Sequence, residues 1–321
     1  MSNLKNKMLD GRSRIIFYSL TPPKITTAPE RVLTIAATQA ERLRNLDIDG
    51  LILYDIQDES LRTDETRTFS FIPSIPPETY SKDFLIDLPI PRIIYKSIAN
   101  QTKEDFQRWL MQNKELEYMV FVGATSHQQV EATNFSLSDA YALKQDIVPD
   151  LLLGGVTIPE RHGKKADEHH RIFRKMEHGC GFFVSQCVYN INDTKNLLSD
   201  YYYGSQERAC GVAPIIFTLA PCGSLKTLQF MKWLGIEVPK WLYNDLKHAK
   251  DILASSIDTC INIAGDILNY AEQKNIPVGF NIESISIKKE EIEAAHEVLK
   301  HVLQLTRPAR SIAENKLQVS G

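Results

Sequence analysis

The chain lacks the features that mark several large protein classes. No apolar run approaches the roughly 20 residues that a membrane-spanning helix needs, and Met1–Lys5 contains no apolar signal core. The formal net charge of −3 over 321 residues gives no basic excess of the kind that nucleic-acid binding requires. We therefore expect a soluble cytoplasmic protein with neither a membrane nor a nucleic acid as partner.

Two further motifs are missing. The five cysteines are an odd number and form no Cys-x-x-Cys pair, which favours reduced thiols over a disulfide framework. No Gly-x-Gly-x-x-Gly turn follows the first apolar segment, so the sequence does not favour a doubly wound dinucleotide-binding sheet.

Short apolar segments instead alternate with helical patterns along nearly the whole chain. Most of these segments are continuously apolar, which is typical of parallel strands that helices cover. Eight such β/α units predict a single (β/α)₈ barrel over residues 1–321, with about 1–13 and 307–321 as flexible tails. The predicted strands are Ile15–Leu20, Leu51–Tyr54, Arg92–Ser97, Tyr118–Gly123, Leu151–Thr157, Phe182–Val188, Pro214–Leu219 and Pro277–Glu283.

The helical patterns carry recognisable beginnings. Pro29–Leu46 has apolar residues at helical spacing, and Thr102 and Ser224 are good N-caps for the segments that follow them. Residues 240–275 are long enough for two helices, and Lys288–Leu305 is amphipathic and closes the fold.

Barrel enzymes place their chemistry at the carboxyl ends of the strands. Reading those ends predicts a polar, mildly acidic rim. It comprises Ser19, Thr21, Tyr54, Asp55, Gln57, Asp58, Glu59, Tyr95, Lys96, Thr125, Thr157, Glu160, His162, Gln186, Tyr189, Thr218, Glu283 and Ser284.

Gln186 is the most informative member of this rim, because it interrupts an otherwise apolar strand. An uncharged amide there costs desolvation free energy unless it is hydrogen-bonded. It either binds backbone groups of the protein or pairs with the edge of a heterocycle such as a pterin or a nicotinamide carboxamide.

Four segments, in the correct order, resemble the methylenetetrahydrofolate reductase family. Tyr18–Lys24 resembles its first-strand Phe-Glu-Phe-Phe-Pro-Pro-Arg motif, and Pro159–His162 resembles its Tyr-Pro-Glu-x-His segment. Arg174–Gln186 resembles its Arg-Lys-x-x-Ala-Gly…Thr-Gln-x-x-Phe segment, and Pro214–Pro239 the stretch over its seventh strand and helix. The resemblance implies a (β/α)₈ barrel that acts on folate in one-carbon metabolism and methionine biosynthesis.

The chain departs from this family at several positions. Ser19 replaces the first-strand glutamate that is thought to protonate folate N10, and a serine cannot serve as that acid. Val122-Gly123-Ala124 replaces the Arg-Gly-Asp that holds flavin and folate, Tyr95 replaces a flavin-contacting histidine, and Ile158 replaces a tyrosine.

The resemblance also implies which residues would face a cofactor. We assign Tyr95, Thr157, His162, Glu168 and Lys175 to that side. FAD, the usual cofactor of the family, is left open, whereas NADH or NADPH is expected as the reductant.

Two further segments resemble the flavin-independent branch of the family described in mycobacteria. They are Leu53–Glu59 and Asn281–Ser284.

The implied reaction is reduction of 5,10-methylenetetrahydrofolate to 5-methyltetrahydrofolate, by direct hydride transfer if no flavin is bound. The proton would come from Glu283, which ends an apolar strand, or otherwise from Asp55. Gln186, Ser19, Tyr54 and Thr218 are assigned to the folate.

Other interpretations stay open at this point. The chain could be a pterin- or folate-binding barrel without catalysis, or a partner in folate- or corrinoid-linked methyl transfer. His162, His169, His170 and His178 are candidate metal ligands. His169 and His170 are adjacent on a predicted helix and point about 100° apart, which is a poor geometry for one ion, so we expect no metal site. The oligomeric state, homo-oligomers included, and the choice between NADH and NADPH are not determined.

Overall fold

Eight parallel strands close into one barrel in a computed structural model that describes residues 3–11, 14–58, 70–123 and 133–307. Each strand pairs with the next along the chain, and β8 pairs with β1. The predicted (β/α)₈ barrel is therefore confirmed. The strands are β1 (Ile16–Leu20), β2 (Gly50–Leu53), β3 (Arg92–Ser97), β4 (Tyr118–Val122), β5 (Leu152–Thr157), β6 (Cys180–Cys187), β7 (Ile215–Leu219) and β8 (Val278–Glu283).

Helices surround this sheet. They are α1 (Asn3–Asp10), α2 (Pro29–Arg44), α3 (Pro77–Phe84), α4 (Lys103–Gln112), α5 (Leu137–Ile147), α6 (Pro159–Lys165), α7 (Glu168–Glu177), α8 (Ile191–Glu207), α9 (Leu225–Trp233), α10 (Lys240–His248), α11 (Ile252–Glu272) and α12 (Lys289–Thr306). Thr102 and Ser224 accept the predicted capping hydrogen bonds from Asp105 N–H and Thr227 N–H. The predicted pair of helices over 240–275 is also present.

The barrel interior is filled by alternate strand residues, because side chains on a strand point to opposite faces in turn. Phe17, Ile52, Ile93 and Phe182 belong to this interior cluster. The Phe182 ring occupies space beside Gly154, where an added Cβ would lie 2.5 Å from it. Glycine on β5 is therefore what admits the large ring on β6.

The amino-terminal segment differs from the prediction. Residues 3–10 form α1, and the side chains of Leu4 and Met8 are buried against the interior cluster beside Ile15. Burial of these two apolar side chains stabilises the helix on the barrel, so the expected flexible tail over 1–13 is wrong for residues 3–10. Residues 308–321 lie outside the described part of the chain.

Two short helices, α9 and α10, lie between β7 and the long helix α11. They pack in a separate apolar cluster with Cys187, Tyr189 and Cys222 at the ends of β6 and β7. All five cysteines are free thiols. In the ranges that the structure describes, no helix has the length and apolar character needed to cross a membrane.

Candidate functional site

Polar side chains from four strand ends meet at the mouth of the barrel. Glu283 ends β8, and its Oε2 atom accepts hydrogen bonds from the hydroxyls of Ser19 (3.1 Å) and Tyr54 (2.6 Å). The Asn281 amide donates to Tyr54 Oη at 3.1 Å and to Thr218 Oγ1 at 3.2 Å. We call these five residues the mouth network. It connects the ends of β1, β2, β7 and β8 through side chains alone.

The strand register explains why Ser19 and Glu283 meet. β1 and β8 are neighbours in the closed barrel, and Ser19 stands opposite Glu283 in their parallel pairing. Ser19 follows the interior residue Phe17 by two positions, so its side chain also points inward. Tyr54 comes directly after β2, and its ring packs edge-on against Tyr95, with 4.9 Å between the ring centroids.

The surroundings of Glu283 favour the protonated form of its carboxyl group over the charged form. Burial raises the pKa of its carboxyl, while the hydrogen bonds from Tyr54 and Ser19 act in the opposite direction. Within the described residues no lysine or arginine forms an ion pair with it. Burial, with the nearby Glu283 carboxyl adding to it, also holds the pKa of the Tyr54 hydroxyl well above its usual range. Tyr54 therefore stays protonated and donates to Glu283.

Asn281 sets the direction of these hydrogen bonds. The side chain is fully buried, and one donor amide contacts both Tyr54 and Thr218. Because Tyr54 Oη accepts from Asn281, its single proton is free to point at Glu283. Sequence reasoning did not assign Asn281 to the site. Its position two residues before Glu283, on the same face of β8, is the pattern that could have identified it.

Thr218 is fixed from the β6 side. Its hydroxyl donates to the Ser185 carbonyl oxygen at 2.7 Å, and its backbone N–H donates to Ser185 Oγ at 2.9 Å. The Thr218 side chain is buried, and its hydroxyl oxygen also accepts from Asn281. Thr218 thus positions the Asn281 amide, and its predicted contact with substrate stays a prediction.

Asp55 lies apart from the mouth network. Its carboxylate accepts hydrogen bonds from Ser97 N–H (2.9 Å) and from the Gln57 side chain (2.7 Å), which ties the end of β2 to the end of β3. Burial raises the pKa of Asp55, although both hydrogen bonds oppose this shift. The residue borders a cleft of about 210 Å³ that Lys96 and Glu78 also line.

Gln186 uses its amide within the protein. Its Nε2 atom donates to the Leu234 carbonyl oxygen at 2.8 Å, just after α9. This is the first of the two alternatives considered for this residue, a side chain that binds a backbone group. The side chain is half-buried. Contact between Gln186 and a heterocycle stays a prediction.

Three of the predicted cofactor residues, Thr157, Glu168 and Lys175, lie beside β5 and are hydrogen-bonded within the protein. Glu168 is fully buried and accepts hydrogen bonds from Thr157 Oγ1 (3.3 Å) and Ile158 N–H (2.9 Å). Arg161 adds an ion pair with Glu168 at 3.1 Å. The ammonium group of Lys175 donates to a backbone carbonyl oxygen on β5.

His162 and Tyr95 are engaged as well. The His162 imidazole lies 3.1 Å from Asp200 on α8, outside the barrel. Tyr95 is buried against Tyr54. Glu168, Thr157 and Lys175 are thus hydrogen-bonded within the protein, and the assignment of all five residues to a cofactor stays a prediction. Glu59, Ala124 and Thr125, also considered from the sequence, lie outside the described residues.

Glu160 is a second unusual carboxyl at the rim. It begins α6 beside the end of β5, is 2% exposed, and neither of its carboxyl oxygens has a hydrogen-bond partner in the described chain. Burial raises its pKa to about 8, and the charges of Asp193 and Glu237 add to this. A carboxyl in this environment is neutral at neutral pH.

Comparison with known proteins identifies one informative relative. No protein-family model and no curated protein matches the chain. A solved structure from Clostridium thermocellum, described as an uncharacterized protein that binds two copies of 5-methyl-5,6,7,8-tetrahydrofolic acid, is 44% identical in sequence. The match has a TM-score of 0.83 and covers 95% of this chain and 100% of that chain.

Other solved structures are much more distant. A GH10 endoxylanase from a sugarcane soil metagenome is 8% identical with a TM-score of 0.49, covering 92% of this chain and 99% of its own. A 7,8-dihydropteroate synthase from Vibrio fischeri is 10% identical with a TM-score of 0.44, covering 94% and 96%. Neither of them bears on function. The 44% identity over nearly the full length of both chains shows that this chain belongs to the same family as the Clostridium thermocellum protein.

Proposed function

We propose that the chain binds a reduced folate at the mouth of the barrel and reduces 5,10-methylenetetrahydrofolate to 5-methyltetrahydrofolate with NADH or NADPH. Folate binding is supported by the Clostridium thermocellum relative, which binds the methylated folate that this reaction forms. The observation that carries the reaction itself is the position of Glu283 directly beside Ser19.

The reductase family that the sequence resembles has a glutamate at the first-strand position, where this chain has Ser19. In the barrel, Glu283 is the register neighbour of Ser19 on β8. The carboxyl group thus stands at the same level of the mouth, one strand away. The serine that cannot act as an acid instead donates a hydrogen bond to the residue that can.

The hydrogen bonds support Oε1 of Glu283 as the acidic atom of this proposal. Oε2 accepts from Tyr54 and from Ser19, whose hydroxyl also lies 3.2 Å from Tyr54 Oη, and neither donor hydrogen-bonds to Oε1. In the proposed reaction the proton is therefore carried on Oε1. The raised pKa of Glu283 increases the fraction of the carboxyl group that carries a proton.

The reaction then has two steps. Glu283 Oε1 gives its proton to folate N10 as the bond between N10 and the methylene carbon breaks, which leaves an iminium at N5. Hydride from C4 of the reduced nicotinamide adds to the methylene carbon, and the products are 5-methyltetrahydrofolate and the oxidised nicotinamide. Solvent returns one proton to Glu283. The protein supplies orientation and the proton, and the cofactor supplies the hydride.

Direct hydride transfer from the nicotinamide to the folate is favoured over transfer through a flavin, because residues beside β5 that were assigned to a flavin already bind groups of the protein. Glu168 and Lys175, which the family resemblance assigned to the flavin, are bonded within the protein. The nicotinamide would then lie directly against the pterin.

A folate-binding barrel without catalysis is the second candidate. The relative holds the methylated folate, so binding of that compound does not require turnover. Partnership in folate- or corrinoid-linked methyl transfer would use the same bound folate.

An anaerobic assay on the full chain, with its flavin content measured, separates these functions. We expect protein without flavin to oxidise NADH or NADPH only when 5,10-methylenetetrahydrofolate is present, and to form 5-methyltetrahydrofolate in equal amount. Protein that binds 5-methyltetrahydrofolate in calorimetry but oxidises neither nucleotide would support the binding barrel instead. Flavin absorbance that copurifies with activity would contradict direct transfer.

A further inference from the structure

Two imidazoles and a carboxylate meet between three helices outside the barrel. His162 lies on α6, His169 begins α7 as its second residue, and Asp200 lies on α8. One nitrogen of each histidine and one oxygen of Asp200 lie within 4.8 Å of one another. The His162 and His169 rings meet edge to face, with centroids 5.3 Å apart.

The histidines have unused nitrogen atoms. His162 and His169 are 3% and 8% exposed, and the Nδ1 atom of each is buried without a hydrogen-bond partner in the described residues. Burying a polar nitrogen in this way costs desolvation free energy that no partner among the described residues offsets. His162 faces Asp200 through Nε2, so its Nδ1 is not the atom that would bind an ion shared with Asp200. The unpartnered Nδ1 of the buried His169 is the observation that indicates a ligand.

We propose that His162, His169 and Asp200 bind a divalent transition-metal ion of the Zn²⁺ type and thereby link α6, α7 and α8. Two imidazoles and one carboxylate form a common donor set for Zn²⁺, with water in the fourth position. This site is separate from the mouth network and does not depend on the proposed reaction.

The distances suit this ion. In a tetrahedral site with metal–ligand bonds of about 2.0–2.1 Å, neighbouring ligand atoms are about 3.3 Å apart. His162 Nε2 and Asp200 Oδ2 are 3.1 Å apart. The Asp200 side chain is 49% exposed, so it can move to close the wider separations and leaves solvent access for a water ligand.

This set differs in part from the four histidines considered from the sequence. His162 and His169 belong to the cluster, whereas His170 is exposed and lies outside it, although its ring centroid is 3.9 Å from that of His169. The ligand that the sequence did not indicate is Asp200, on α8.

The test uses the untagged full chain after treatment with a chelator. Zn²⁺ is titrated in competition with a chromophoric chelator, and Co²⁺ is added separately as a spectroscopic probe. We expect one equivalent of Zn²⁺ to bind, a higher melting temperature with the ion, and the intense visible bands of four-coordinate Co²⁺.

Two variants and one control locate the site. Asp200→Asn changes an exposed residue and keeps a hydrogen-bonding group, so the fold is retained, and His169→Gln removes a buried ligand. Each is expected to weaken Zn²⁺ binding about tenfold or more. His248→Ala changes an exposed histidine at the end of α10 and should bind as the wild type does. Absence of saturable binding, a Co²⁺ spectrum like that of the hydrated ion, or wild-type affinity in Asp200→Asn would overturn the proposal.

Discussion

Glu283 and Glu168 are both carboxyl groups near the mouth of the barrel, yet their surroundings differ. Glu168 accepts hydrogen bonds from Ile158 N–H and Thr157 and pairs with Arg161. Glu283 accepts only from the Ser19 and Tyr54 hydroxyls, and no cation pairs with it in the described chain. Glu168 holds the loop between β5 and α6 in place, whereas Glu283 is the residue that we propose as the proton donor.

This difference shows that position on the rim does not make a residue catalytic. A buried carboxylate that accepts from a backbone N–H and a hydroxyl, with an arginine beside it, has little hydrogen-bonding capacity left for a ligand. A buried carboxyl with only neutral donors has a raised pKa and can give up a proton. The two residues should therefore respond to substitution in opposite ways.

The largest effect is expected for Glu283→Gln. Glutamine keeps the size of the side chain and accepts from Ser19 and Tyr54, but it cannot supply a proton. Turnover should fall about 100- to 10,000-fold, with folate affinity nearly unchanged. The measurement is steady-state kinetics beside calorimetric binding of 5-methyltetrahydrofolate. Glu290→Gln, on the exposed first turn of α12, is the matched control. An unaffected rate would remove Glu283 from the mechanism.

Glu168→Gln should show the reverse pattern. The substitution leaves Arg161 without its buried partner, so the free energy of unfolding should fall by about 2–4 kcal/mol. Urea unfolding measures this loss. Folate affinity and turnover of the folded variant should match the wild type. Glu177→Gln, exposed at the end of the same helix, should change stability by less than about 0.5 kcal/mol. If Glu168→Gln lost turnover without losing stability, Glu168 would have a role in the reaction and not in holding the loop between β5 and α6.

Tyr54→Phe tests whether the Tyr54 hydroxyl shifts the pKa of Glu283. The acid must be protonated, so turnover should be constant at low pH and fall as the pH rises through the pKa of Glu283. The Tyr54 hydrogen bond lowers that pKa, so its removal should move the fall in rate to higher pH. The pH profile of kcat is the measurement, with Tyr243→Phe on α10 as control. A shift to lower pH would be inconsistent with the hydrogen-bond directions described above.

The smallest effect is expected for Gln186→Leu. The Gln186 amide already donates to the Leu234 carbonyl oxygen, so only its remaining hydrogen-bonding groups are available to a bound pterin. One neutral hydrogen bond contributes about 0.5–1.5 kcal/mol, so folate affinity should fall about 2- to 12-fold. Gln229→Leu, exposed on α9, should leave affinity unchanged. If only stability falls in Gln186→Leu, the residue serves the backbone and not the folate.

The fold was predictable from the sequence because each strand carries its own apolar segment. All eight predicted strands agree with the observed ones to within two residues at either end. The helix over residues 3–10 was not anticipated, because the segment is polar overall. Contacts with distant segments stabilise it, through the buried side chains of Leu4 and Met8 and the ion pair between Lys7 and Asp49.

The site was less predictable, since it depends on contacts between distant segments. Glu283 could be proposed from its place at a strand end, but its partner Ser19 is 264 residues away in sequence. Register across β1 and β8 decides that contact, and no local pattern encodes it. The internal bonds of Glu168 likewise arise from the way α7 folds back on β5, which a motif comparison does not contain.

An isotope experiment tests the central claim most directly. The protein is supplied with nicotinamide nucleotide deuterated at the transferred C4 position, in ordinary water, together with 5,10-methylenetetrahydrofolate. Direct transfer predicts that the deuterium appears in the methyl group of 5-methyltetrahydrofolate without loss, because a hydrogen moving from carbon to carbon does not exchange with solvent. A methyl group that carries solvent hydrogen instead would show an exchangeable intermediate carrier and would contradict the proposed mechanism.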